Sequence, residues 1–178
     1  MSSPNSFIPI RTGLRLRPLS LPQDEALIIQ GMTDSDLMQY YGVSYADAEA
    51  AQAQFEWYRM HQEAGTGHFW VVDLEDSGIG VLGIYDIHPL HRKAELGIWI
   101  LKSFGGKGLG TGVVSAITDY AFQYLNLHRL EAKVELENLA CRKMFTNAGW
   151  QVEGIQNACE WKNARWISLE CWAIIQAS

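Results

Sequence analysis

Between positions 105 and 112 the chain reads Gly105-Gly106-Lys107-Gly108-Leu109-Gly110-Thr111-Gly112, five glycines in eight residues. A glycine cluster between a strand and a helix brings bare backbone N–H groups and a helix N-terminus to one point. That geometry favours phosphate or pyrophosphate, through unsatisfied donors and the helix macrodipole. Two common phosphate motifs do not fit. A P-loop requires G-x-x-x-x-G-K-[ST], and Lys107 is followed by Gly108. A dinucleotide fingerprint follows the first strand of a βαβ unit, whereas these glycines sit mid-chain after strands in hairpin order. A glycine turn that holds no ligand is the plain alternative.

Other residues with chemical capacity give weaker patterns. His88 and His91 bracket a Pro-Leu corner with no third ligand near, so no metal site is expected. Cys141, Cys159 and Cys171 are an odd set without CxxC spacing. They read neither as a disulfide framework nor as a zinc site. Each reads by default as a small apolar residue, and a reducing, cytoplasmic setting is expected. The tryptophans, Trp57, Trp70, Trp99 and Trp166 among them, read as core.

The elements that must position these groups follow from periodicity. Arg11 to Arg17 alternates, Leu14 and Leu16 against Arg15 and Arg17, and predicts a first strand ended by Pro18. Ser20 and Pro22 open a short helix through Ala26 to about Gly31. Ser44 caps a second, Ala46 to Glu63, stopped by Gly65. Strands are expected at His68–Asp73, Gly80–Ile87 and Lys93–Leu101, then the glycine loop. Val113, Val114, Ile117, Ala121 and Leu125 form one apolar stripe on the helix it opens. A strand at Arg129–Leu136, a short helix at Asn138–Asn147 and a closing pair, Trp150–Glu160 and Trp166–Ile175, complete the order. Helices separate some strands and hairpins join others, so the fold class is a mixed α/β single domain.

Length and charge bound the rest. At 178 residues and 48% hydrophobic, the chain can bury one core and is not disordered. Fourteen Lys and Arg against twenty Asp and Glu give a net charge of −6. That balance argues against nucleic acid as partner; it suits a cationic substrate, or simple solubility. No run approaches 18 uncharged apolar residues, so no membrane span is expected. Met1 to Pro9 lacks a basic region before an apolar run, so no signal peptide is expected. Residues 1–10 read as a polar N-terminal segment and 11–178 as the domain.

Four segments carry a resemblance: Ala94–Ile100, Gly106–Thr111, Leu127–Ala132 and Asn138–Trp150. Together with the element order they resemble the GNAT N-acetyltransferase superfamily, and within it the branch of ribosomal-protein N-terminal and spermidine acetyltransferases. The likeness runs in register from about Thr12 to Ile175. It implies a central, mostly antiparallel sheet of about seven strands with a splayed parallel pair, flanked by about four helices. It implies acetyl-CoA as co-substrate: the pantetheine arm on the backbone of Ile98, Trp99 and Ile100, the pyrophosphate on N–H groups from Gly105, Gly106, Lys107, Gly108, Leu109, Gly110 and Thr111, and Asn138 and Lys143 beside it. For Asn138 an ordinary helix N-cap is the alternative. Gly105 departs from the Gln or Arg that opens the family's loop pattern.

Acetyl transfer needs an amine that has lost its proton, donors for the oxyanion, and a proton or hydrogen bond for the departing thiolate. The tyrosine that many family members use as acid corresponds here to Phe145, which cannot donate. In the ribosomal-protein branch a serine three residues after the asparagine resembles the acid; here it is Cys141, either a proton donor or a small packing residue. That branch's glutamate base corresponds to Glu160, expected to be partly desolvated between Cys159 and Trp161, or else a surface carboxylate. Tyr40, Tyr41 and Glu95 are expected to line the acceptor pocket.

The resemblance thus implies an acetyl-CoA-dependent N-acetyltransferase, the amine attacking the thioester directly. The acceptor is a protein N-terminal α-amine or a small amine, with a spermidine-type polyamine as the alternative. A non-catalytic acyl-CoA sensor or scaffold is the alternative from another class, and another acyl donor such as succinyl-CoA is also open. A homodimer is compatible with the family.

Overall fold

Leu14 and Leu16 turn into the core while Arg15 and Arg17 stay at its edge, the period-two signature of a half-buried strand. The computed structural model describes residues 7–43 and 45–177. That leucine strand is β2 (Leu14–Pro18), and it is the second arm of a hairpin whose first is β1 (Ile8–Arg11). The single strand expected over Arg11–Arg17 is therefore broken at Gly13, whose φ of +76° turns the chain. The segment read as polar, 1–10, contributes a strand whose Ile8 is buried.

Next come α1 (Glu25–Met32) and α2 (Gln52–Glu63). The second helix starts six residues later than expected: 46–51 form turns, and the expected Ser44 cap lies outside the described residues. Strands β3 (His68–Leu74), β4 (Ser77–His88) and β5 (Lys93–Ile100) follow as antiparallel neighbours. Helix α3 (Leu109–Tyr124) leaves the glycine loop. Strand β6 (Arg129–Glu135), helix α4 (Leu139–Asn147), and the hairpin β7 (Gln151–Lys162) and β8 (Arg165–Ile175) close the chain.

The eight strands form one sheet in the order β1-β2-β3-β4-β5-β6-β8-β7, every pairing antiparallel except β5 with β6. The eighth strand beyond the seven expected is β1. Apolar layers cover both faces. On one, Val113, Val114, Ile117 and Ala121 of α3 and Phe145 of α4 pack on Leu16, Leu82, Leu96 and Leu130. On the other, Ile28 and Met32 of α1 and Phe55 and Tyr58 of α2 pack on Phe69, Val81 and Trp99. Burying side chains of this size stabilises by roughly 1.5–3 kcal/mol each. The edge strand β7 has no such cover: Gln151 to Trp161 is exposed. Among the described residues, no helix is long and apolar enough to cross a membrane.

Candidate active site

Strand β5 runs between two partners and loses one of them. It pairs with β4 as far as Ile100, but with β6 only over Lys93–Arg129, Ala94–Leu130 and Glu95–Glu131. From Leu96 onward one edge is open. The Leu101 amide donates to the Ile79 carbonyl of β4 at 2.8 Å. Strand alternation then turns the backbone of Trp99 to β4 and that of Ile98 and Ile100 to the open edge. Of the three residues expected on the pantetheine arm, Ile98 and Ile100 thus present amides and carbonyls there. Trp99 offers its indole instead, packed so tightly against α1 that a Cβ on Gly31 would lie 2.4 Å from the ring.

The open edge leads to the glycine loop. Gly106 and Gly108 hold φ of +73° and +71°, a conformation costing other residues roughly 1–2 kcal/mol. Gly108 is the N-cap of α3 and supplies no side-chain acceptor, so the first N–H groups of that helix stay available for an anion. Gly105, Gly106, Gly108, Leu109, Gly110, Thr111 and Lys143 line a cavity of about 600 Å³ that also reaches Ile98, Ile100 and Asn138. Lys107 does not belong to that lining; its ammonium lies over the Phe104 ring, 5.3 Å from the centroid. An unsatisfied helix N-terminus, a free strand edge and a long cavity joining them fit a pyrophosphate carried on an amide-bearing arm.

A second cavity of about 470 Å³ shares Ile98 and Trp99 of the same strand. Its wall is aromatic: Tyr40, Tyr45, Trp57, Tyr58, Phe69, Tyr85 and Trp99. Two carboxylates, Glu95 and Glu160, and one ammonium, Lys133, also line it. The Tyr85 hydroxyl donates to Glu95 Oε1 at 3.0 Å. Burial first, and the Glu95 charge second, push the Tyr85 phenol above its ordinary range, so it stays protonated. Of the tryptophans read as core, Trp57 lines this cavity and Trp166 is exposed; Tyr45 and Tyr85 did not stand out in the sequence. Only the hairpin register, which sets Tyr85 opposite Glu95, could have revealed one of them.

Six residues line both cavities: Tyr40, Tyr41, Ile98, Trp99, Asn138 and Cys141. Asn138 caps α4, its Oδ1 accepting the Cys141 N–H at 3.1 Å, and lies at the junction as well. Burial pushes the Cys141 thiol up to about 12, which argues against ready proton donation from sulfur. Phe145 is buried against the Trp150 ring, centroids 4.7 Å apart. Glu160 is exposed on β7 beside an irregularity between Gln156 and Glu160. Of the two readings for it, a partly desolvated acid or a surface carboxylate, its exposure matches the second, while it also lines the aromatic cavity. His88 and His91 stack on an exposed corner, ring centroids 4.2 Å apart. Among the described residues no group of three or more His, Cys, Asp or Glu comes together.

Residues 13–151 match the acetyltransferase (GNAT) domain family. The chain belongs to that family. GNAT relatives cover nearly its whole length: the chain is 28% identical over 166 residues to an uncharacterized N-acetyltransferase, p20, of Bacillus licheniformis, covering 92% of this chain and 93% of that one. It is 29% identical over 147 residues to the spermidine N(1)-acetyltransferase of Escherichia coli K12, covering 83% and 77%. Among solved GNAT structures, spermidine N-acetyltransferase from Vibrio cholerae, in complex with CoA and spermine, superposes with a TM-score of 0.84 at 27% identity, covering 93% of this chain and 97% of that one. The ribosomal L7/L12 α-N-protein acetyltransferase RimL superposes at 0.86 with 20% identity, covering 96% and 94%, and shares the fold. The mixed sheet with one parallel pair and four flanking helices is the GNAT architecture, and acetyl-CoA is its co-substrate.

Proposed function

We propose that this acetyl-CoA-dependent N-acetyltransferase acts on the α-amine at a protein N-terminus, the amine entering the aromatic cavity and attacking the thioester directly. The carrying observation is the meeting of two cavities at the open edge of β5. One is suited to the CoA arm and the other to a cation among aromatic rings and two carboxylates. The amide N–H groups of Ile98 and Ile100 are the donors assigned to the oxyanion. Glu160 is assigned the base, acting through water, and its exposure bears on the acceptor. Stripping an α-ammonium of pKa about 8 at pH 7 costs about 1.4 kcal/mol, against about 4.6 for an alkylammonium of about 10.4. A solvated carboxylate and water can meet the first demand far more readily than the second.

A polyamine is the second reading, favoured by the net charge of −6 and by the likeness to a spermidine acetyltransferase. Three free cysteines support a reducing, cytoplasmic setting, and a homodimer belongs to the same proposal, checked by sedimentation. The experiment that separates the acceptors is thiol release from acetyl-CoA against N-terminal peptides, lysine side-chain analogues and spermidine. The highest kcat/KM is expected for a peptide α-amine; a preference for spermidine would install the second reading. Acetyl-CoA binding without release to any amine would indicate the non-catalytic sensor.

A further inference from the structure

Phe145 and the Cys141 thiol leave the departing sulfur without an evident partner, yet two phenols, Tyr40 and Tyr41, line both cavities. Tyr41 follows the 3-10 turn Met38–Tyr40, with its N–H bonded to the Met38 carbonyl at 3.0 Å. Its ring packs among the core residues under α1 and α2. Its hydroxyl donates to the carbonyl of Ile98, on the open edge of β5, and it lines both cavities. Three junction side chains carry a proton on oxygen or sulfur: Tyr40, Tyr41 and Cys141. Tyr40 lies close enough to Lys102 and Arg165 to interact electrostatically with both. Cys141 has a weak S–H donor. Tyr41 alone of the three hydrogen-bonds the strand that the pantetheine arm is assigned to.

We propose that Tyr41 is a catalytic residue, its hydroxyl exchanging the Ile98 carbonyl for the thioester sulfur when acyl-CoA binds and stabilising the thiolate as it departs. The proposal rests on the acetyl-CoA site assigned above. In the step, nitrogen forms the C–N bond, the carbonyl pair moves to oxygen and returns, and the C–S bond breaks with its electron pair on sulfur. Tyr41 donates a hydrogen bond to that sulfur. The one proton that nitrogen sheds, relayed through water, is the one the thiol gains, so no further reagent is needed. Burial, with a smaller contribution from Cys141, pushes the Tyr41 phenol far above its ordinary range. It therefore remains protonated at every working pH and acts as a fixed donor rather than a titrating acid. The exchange also frees the Ile98 carbonyl for an amide of the arm.

The test compares CoA with desulfo-CoA, by calorimetry without any acceptor, on wild type and Tyr41→Phe. In wild type a donor aimed at sulfur favours the thiolate, so CoA affinity should rise between pH 7 and 9 while that of desulfo-CoA stays flat. At pH 9 CoA should bind about ten-fold tighter than desulfo-CoA. In Tyr41→Phe, with thermal melting unchanged, that advantage should fall toward one. With any accepted amine, kcat should drop about ten-fold while KM for acetyl-CoA holds or falls. A flat pH response in wild type, or an equal CoA advantage in both proteins, would overturn the role of Tyr41 while leaving the cofactor site standing. Failure of wild type to bind either ligand would overturn the acetyl-CoA reading, and this proposal with it.

Discussion

Glu95 and Glu131 face each other as the last pair of the parallel ladder between β5 and β6. Like charges directly opposite on a sheet repel, and the two are neutralised by different means. Burial works to push the Glu131 carboxyl up, but Arg129 at 2.6 Å and Lys93 at 3.3 Å outweigh it and hold it below its usual range. Glu95 instead accepts from a neutral donor, Tyr85, and lines the aromatic cavity. The two strands diverge immediately beyond this pair, so the Glu95 carboxylate sits at the splay with a phenol rather than a cation as its donor.

Glu95→Gln should therefore weaken the acceptor and spare the donor. A rise of about ten-fold in KM for the amine is expected, as for loss of one charge-assisted contact in a desolvated pocket. Acetyl-CoA affinity by calorimetry should stay within about two-fold. Equal loss on both substrates would mean that Glu95 holds the splay rather than the amine.

Gly108→Ala tests the anion site. A Cβ there meets nothing within 4 Å, so the effect is confined to backbone strain at φ +71°. A stability loss of roughly 1–2 kcal/mol is expected in urea melts, together with acetyl-CoA affinity reduced about ten-fold as the loop relaxes away from the N-terminus of α3. Unchanged affinity would detach the pyrophosphate from this loop.

Thiol labelling reads the environment of Cys141. With its pKa at about 12, the thiolate fraction at pH 8 is about one in ten thousand, against about a quarter for a free cysteine near 8.5. Iodoacetamide at pH 8 should modify the exposed Cys159 and leave Cys141 untouched until the chain unfolds. Acetyl-CoA should not alter the labelling of Cys159. Rapid labelling of Cys141 would mean an ionised sulfur at the junction, and would return the proton-donor role to it.

His68 gives stability a mild acid dependence. Burial lowers its pKa in the folded protein, so the unfolded chain binds more protons around pH 6 and stability rises with pH there. The contribution is complete above the unfolded value of about 6.5 and is lost as pH falls below it. Melting temperature should decline between pH 7 and 5.5 in wild type, and less steeply in His68→Gln. Identical slopes would remove His68 as the cause.

Much of this fold is legible in the sequence because its elements follow local rules. The apolar run at Phe69–Val72, the stripe from Val113 to Ala121 and the Asn138 cap each lie where periodicity or capping sets them. The N-terminal hairpin is less legible, because Arg11 to Arg17 alternates across Gly13 as smoothly as one strand. Chemistry is less legible still. The Gly106–Thr111 loop announces an anion site through backbone alone, whereas Tyr41 meets Ile98 across 57 positions and no spacing rule reaches that far. Glu160 is hard to read for a related reason: whether a carboxylate is desolvated depends on the layer over it, and the flanking residues of an edge strand do not reveal that layer.

Pre-steady-state thiol release separates direct transfer across the junction from every other use of the two cavities. Enzyme and acetyl-CoA are mixed in a stopped-flow cell with and without a peptide amine, and free CoA thiol is followed. Release that requires the amine, with no burst in its absence, is the expected result, since no acyl-enzyme forms. A burst equal to the enzyme concentration without amine would place the acetyl group on the protein, and would contradict direct attack at the open edge of β5.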